Sequence, residues 1–313
     1  MSTTAAGTIR RKRDVTNGLL GVWGVLVFVF LFLPIAMIVI YSFNDGRALV
    51  VWHESGLKAY TDALNNPTIK SSIFTSIRAA SGAAVIATII GSLAGIALAR
   101  RPGKWTIGFL GLLFLVLVTP EIVDAISLLI WFVRLNELVG GPFSPDFFFN
   151  FGLIRLFIGH AIFASAVVTL IVRARLAGLD ESLEEASADL YASPAQTFRK
   201  ITLPLMMPAV LAGGLLAFSL SLDNTIISSF VSTADASPWP VYVFSSLRSV
   251  LRPSIAAMST LVLLLTLFAL ALVALVLRRG GASGEEAAAM LAGVEAAPRT
   301  GVPGAEIQRL AGS

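Results

Sequence analysis

The chain has no cysteine, which excludes a disulfide framework and any thiolate metal site. It has only two histidines, His53 and His160, far apart in sequence. A metalloenzyme reading therefore starts almost without ligands. Charge is scarce as well: 13% of the 313 residues are charged, against about 25% in soluble domains. There is no G-x-x-x-x-G-K-[ST] run anywhere, so the chain brings no phosphate-cradling loop of that type. The net charge of +4 in a chain that is 56% hydrophobic points to basic flanks of membrane spans, not to nucleic acid.

What is present is a set of long apolar runs: 19–43, 73–99, 105–133, 152–173, 205–231 and 254–277. Each reaches the roughly 20 residues that a helix needs to cross a bilayer. The first is longer than a signal-peptide core and is followed by no A-x-A-like site, so it reads as an uncleaved span. The expectation is an all-α, polytopic membrane protein with six transmembrane helices. An N-terminal tail over 1–18, a six-span domain over 19–277 and a tail over 278–313 divide the chain. The last is rich in Gly and Ala, has no sustained apolar face, and is expected to be disordered.

Basic residues set the orientation. With the N-terminus inside, thirteen Lys and Arg fall near the cytoplasmic ends of spans, among them Arg10, Arg11, Lys12, Arg13, Arg100, Arg101 and Lys104. Eight fall on the other side. The positive-inside rule thus favours both termini in the cytoplasm. In the second span Ala79, Ala83, Ala87, Gly91, Gly95 and Ala99 recur every fourth residue. They make one helix face of small side chains that a neighbouring helix can approach closely.

The segment 179–204 is charged and helix-like. Asp180 can cap a helix whose first turn is acidic. Ser193 followed by Pro194 is a second start signal, and Pro204 marks the start of span five. Two short helices outside the membrane are expected, joined at about Tyr191 to Ser193. Two readings of such an elbow stand on physical grounds: a connector, or a docking lever for a soluble partner.

The pattern Glu185-Ala186-Ser187, Asp189-Leu190, then Ile201, Leu203 and Pro204 resembles the EAA loop of ABC importer permeases. Ser42-Phe43-Asn44, Thr119 to Ser127 and Phe218 to Phe230 resemble the second permease subunit of spermidine/putrescine importers. The resemblance implies a type I importer fold and a coupling surface of Glu185, Ala186, Asp189, Tyr191, Ile201, Leu203 and Pro204. It also implies partners: two ATPase subunits, a second permease and a periplasmic solute-binding protein, in the bacterial inner membrane. The chain itself would bind no cofactor, ATP and Mg being held by the ATPases. Position 191, where the family has glycine, is Tyr191 here. If the backbone there needs a positive φ, tyrosine costs roughly 1–2 kcal/mol, so a remodelled elbow is expected, with Tyr191 packing against the partner.

Three carboxylates lie within apolar spans: Glu121, Asp124 and Asp223, the last beside Asn224. An acid at the bilayer centre costs about 2.5–3.5 kcal/mol on insertion scales and usually faces a cavity or a partner. Counted along straight helices, Glu121 lies about 21 Å and Asp223 about 22 Å into their spans. All three would then sit at similar height and line a path for cationic amines. The plainer reading is that Asp223 and Asn224 cap a helix break and that Glu121 pairs with Arg78 or Arg155. His160 reads as a packed or hydrogen-bonded histidine. Two other classes compete: a secondary transporter or channel, which would show paired broken helices, and an intramembrane enzyme. No such pairing is visible in the sequence, and only an ATP-driven importer needs a separate ATPase.

Overall fold

The computed structural model describes residues 15–49, 51–139, 152–248 and 251–279. The basic cluster at 10–13, the Gly140 to Pro145 part of the third connection and the expected disordered tail from 280 lie outside the described residues. The chain forms two units, Met1–Asn66 with Ser249–Val262, and Pro67–Arg248 with Leu263–Ser313.

In the first unit, α1 (Val15–Tyr41) is apolar on every side and none of its spanning stretch is buried. A helix without a polar face belongs among lipid or other helices. The chain then turns around Asn44, which is fully buried. Its Nδ2 donates to the Val51 carbonyl at 2.8 Å, and its Oδ1 accepts from the N–H groups of Gly46 at 3.0 Å and His53 at 3.1 Å. One side chain thus satisfies three backbone groups of a tight loop. The Ser42 hydroxyl bonds the hydroxyl of Tyr60 at 2.7 Å, which ties the exit of α1 to α2 (Lys58–Asn65). The Ser42-Phe43-Asn44 motif is therefore a structural turn.

The second unit is built on α3 (Pro67–Arg100), followed by α4 (Lys104–Val118), α5 (Glu121–Val139) and α6 (Gly152–Ala177). The four-residue stripe of α3 lies against α6. A Cβ on Gly91 would fall 2.9 Å from the Ser165 carbonyl oxygen, and one on Gly95 would fall 2.9 Å from that of Thr169. Only small residues allow this backbone approach, which in lipid replaces the missing hydrophobic drive between helices. Ala79, Ala83 and Ala87 are buried along the same stripe.

Beyond α6 the chain forms α7 (Ser182–Asp189), α8 (Pro194–Thr197), a π-helical segment (Phe198–Thr202) and α9 (Leu203–Leu222). Then come α10 (Ile226–Val231), α11 (Trp239–Ser246) and α12 (Pro253–Arg279). Helix α9 completes the core with α3 and α6, where Val168, Val172, Leu176, Met206 and Ala217 cluster. Helix α10 closes a second cluster with Phe132 of α5 and Leu156 of α6.

Two of the six expected spans are not straight. The third is the pair α4 and α5, bent by 102°. Pro120 has no N–H to donate and restricts Thr119 to extended backbone, which Thr119 adopts at ψ 130. The fifth breaks at Asp223 to Thr225 between α9 and α10. Among the described residues five single helices are long and apolar enough to cross a membrane, the fifth run up to its break included, and the bent pair makes up to six.

Candidate functional site: two facing helix breaks and an exposed elbow

The breaks meet. Glu121 is the first residue of α5, just past the bend. Its carboxylate accepts a hydrogen bond from the Nδ2 of Asn224, which sits in the gap between α9 and α10. The other end of the Asn224 amide caps α10: its Oδ1 accepts from the N–H of Ile227 at 3.0 Å and of Ser228 at 3.4 Å. The capping role expected for this pair thus falls to Asn224, whose amide also donates to the Glu121 carboxylate. Arg78 instead lies over the ring of Phe74, 4.3 Å from its centroid. Asp223, an exposed residue, ends α9, and Asp124 lies half-buried one turn after Glu121.

His160 fastens the break from a third helix. It is buried in α6, with Nδ1 2.6 Å from the Ser221 hydroxyl and Nε2 2.9 Å from the Ser228 hydroxyl. Ser221 precedes the break and Ser228 follows it. One ring therefore spans the gap from both sides and leaves neither of its nitrogens unsatisfied. His160 is the hydrogen-bonded histidine that the sequence suggested; its two serine partners carried no signal in the spacing, because they come from other helices.

The bends revise the depth reckoning. Glu121 and Asp124 follow a turn of 102°, so rise per residue along one axis no longer places Asp124. Two broken spans, which the sequence did not reveal, touch at their breaks. Among the described residues no group of three or more His, Cys, Asp or Glu could hold a metal ion.

The second feature is the elbow over 179–204. Asp180 accepts from the Ser182 N–H at 2.9 Å, and this bond holds its carboxyl below the ordinary range. Helix α7 ends in a left-handed turn at Tyr191, φ 58. The N–H of Tyr191 donates to the Ala188 carbonyl at 2.9 Å and that of Ala192 to the Ser187 carbonyl at 3.0 Å. These are the two bonds of a Schellman cap, in which glycine is the usual residue at the left-handed position. The elbow is therefore not remodelled. Tyrosine takes up the strained backbone, and its ring is 97% exposed.

Beside it, Glu185, Ala186, Asp189 and Leu190 are also exposed. Ser187 is the one buried residue of α7, and its hydroxyl bonds that of Thr197 at 2.7 Å. The serine in place of the motif's second alanine thus clasps α7 to α8. Ser193 caps α8 with Gln196 returning the bond to the Ser193 N–H at 2.9 Å, as expected. The second short helix is not separate from span five, however. Residues Pro194 to Leu222 run as one helix. The N–H of Leu203 reaches back five residues to Phe198, a widened turn just before Pro204, which has no N–H to offer. Ile201 and Leu203 are half-buried and Pro204 is exposed.

Residues 87–280 match the family described as the inner membrane component of binding-protein-dependent transport systems. This chain belongs to that family. It is 39% identical over 240 residues to the putrescine transport system permease protein PotI of Escherichia coli K12, covering 76% of this chain and 83% of that one. It is 35% identical over 254 residues to the spermidine/putrescine permease protein PotC of Haemophilus influenzae, covering 81% and 94%. Its fold is similar to a bacterial ABC transporter involved in alginate import, with a TM-score of 0.61 at 16% identity, covering 85% of this chain and 98% of that one. As an inner membrane component of a transport system, the chain is a multi-pass transporter subunit. The broken spans are thus features of an ABC permease and not of a secondary transporter.

Proposed function

We propose that this permease is one of two such subunits in an ATP-driven importer of small cationic solutes, putrescine and spermidine foremost. The observation that carries the substrate class is the position of Asp223 at the end of α9, beside the Glu121–Asn224 contact where two spans break. A carboxylate next to freed backbone at a helix break can exchange water for an ammonium group without either charge being fully dehydrated. Asp223, Asn224, Glu121 and Asp124 are taken to line the path. Relatives named for putrescine and spermidine transport support the same chemistry.

Both termini lie in the cytoplasm in this reading, which puts the elbow there too. Its exposed Glu185, Ala186, Asp189 and Tyr191 meet one of two ATPase subunits, while Ile201, Leu203 and Pro204 root it in α9. ATP and Mg are held by the ATPases, and a periplasmic binding protein delivers the solute. The test is uptake of labelled putrescine and spermidine into cells with and without this chain, its partner subunits present in both. ATP-dependent uptake that vanishes with the chain supports the reading. A stably assembled complex that takes up neither amine moves the substrate to another small solute.

A further inference from the structure

The elbow helix α7 has almost no apolar hold on the rest of the unit. Its one buried side chain is Ser187, while Leu183 is 47% exposed. What holds it is a polar clasp centred on Arg100, the last residue of α3. One guanidinium nitrogen of Arg100 donates to Glu181 Oε1 at 2.9 Å, and the other meets Glu184 Oε1 at 3.1 Å. The two acids are three residues apart and so share a helix face. The fork of the guanidinium suits such a two-point contact, which a lysine could not make. The Arg100 side chain is only 14% exposed, and its Nε is buried with no acceptor. The same Glu184 oxygen accepts from the hydroxyl of Thr202 at 2.8 Å. Thr202 is buried in the π-helical segment, directly before α9.

Three elements thus converge on one carboxylate: the end of α3, the elbow helix and the root of α9. Helices α3 and α9 carry the core around Val168 and Met206, and α9 ends at the break that presents Asp223. We propose that Arg100 is a positioning residue for coupling: through Glu181, Glu184 and Thr202 it carries displacement of the elbow into α3 and α9. The inference rests on the elbow being the ATPase-docking surface. Polar contacts suit this task because they are directional: a forked ion pair resists rotation of α7, whereas a greasy contact would let it slide. An ion pair drawn out of water adds little net stability, because desolvation offsets its Coulombic gain, so the clasp is explained by transmission better than by folding.

The experiment is done on the complete complex in proteoliposomes, with labelled putrescine as the probe. It reads assembly, ATP hydrolysis and solute moved per ATP hydrolysed. Wild type that hydrolyses ATP but moves no putrescine overturns the substrate reading and not the clasp, which is then read from the stimulation of hydrolysis by the binding protein. Arg100→Met is expected to assemble, to hydrolyse ATP, and to move about tenfold less solute per ATP. The charge swap Arg100→Glu with Glu184→Arg, made together with Glu181→Gln so that no like charge faces position 100, should recover part of that loss. Should Arg100→Met fail to assemble, Glu184→Gln serves in its place, since it keeps the shape of the side chain and leaves Glu181 to hold the guanidinium. An unchanged ratio in either assembled variant, or no recovery in the swap, overturns the proposal.

Discussion

Asn224 and Glu121 lie 103 residues apart in sequence and share an amide-to-carboxylate hydrogen bond at the breaks of two different spans. The bond joins the two places where this membrane domain frees backbone groups from helical pairing. Irregular backbone at membrane depth persists only where it is buried in protein or lines a cavity. Here Asn224 does both jobs, capping α10 with one atom and binding Glu121 with the other.

From this follows a division of labour between the acids. Glu121 has a protein partner, whereas Asp223 is an exposed residue at the end of α9. Asp223→Asn should therefore insert and assemble normally but lower amine uptake about tenfold, the loss of one hydrogen bond to a charged group of about 1.5 kcal/mol. Uptake measured against substrate concentration checks it; unchanged kinetics would remove Asp223 from the path.

His160 has a structural signature of a different kind. His160→Ala leaves the Ser221 and Ser228 hydroxyls without their shared partner in a buried site. The expected cost is on the order of 1–3 kcal/mol, read as a lower melting temperature of the purified complex in detergent. A variant that melts with wild type shows that the ring does not brace the break.

Tyr191 makes a prediction opposite in sign to most substitutions. Its left-handed backbone costs about 1–2 kcal/mol that glycine avoids, and its ring makes little contact within the subunit. Tyr191→Gly is expected to stabilise the isolated subunit by about 1 kcal/mol. The same variant should weaken co-purification of the ATPase, because an exposed aromatic held in one place is a strong anchor for a partner. ATPase retention identical to wild type would leave the tyrosine without a docking role.

Glu185 is exposed on the same helix and has no part in the Arg100 clasp. Glu185→Ala should leave folding intact and reduce ATP-dependent uptake by about tenfold or more, as expected for one charged contact at an interface. Full uptake by this variant would displace the docking surface from the outer face of α7.

The small-residue stripe offers a contrast between two glycines. Gly91→Ala places a methyl 2.7 Å from Val168 Cβ, while nothing lies within 4 Å of the same atom on Gly108. Overpacking of this kind costs typically about 1–3 kcal/mol. Yield and melting temperature should fall for Gly91→Ala and hold for Gly108→Ala; equal behaviour would show that α3 and α6 do not meet there.

The sequence by itself determined the membrane class, the number of apolar runs, the small stripe of α3 and the helix-start signals at Asp180 and Ser193. Each is a local or periodic property: run length, spacing of four, or a capping residue beside its helix. It did not show the 102° turn at Pro120. Only the tertiary structure decided the rest. The bonds from Glu121 to Asn224, from His160 to Ser221 and Ser228, and from Arg100 to Glu181 and Glu184 join residues from different helices. No spacing along the chain encodes them. Whether an acid in a span is a free charge or one half of a hydrogen bond depends on which helix lies beside it, and that is settled by packing.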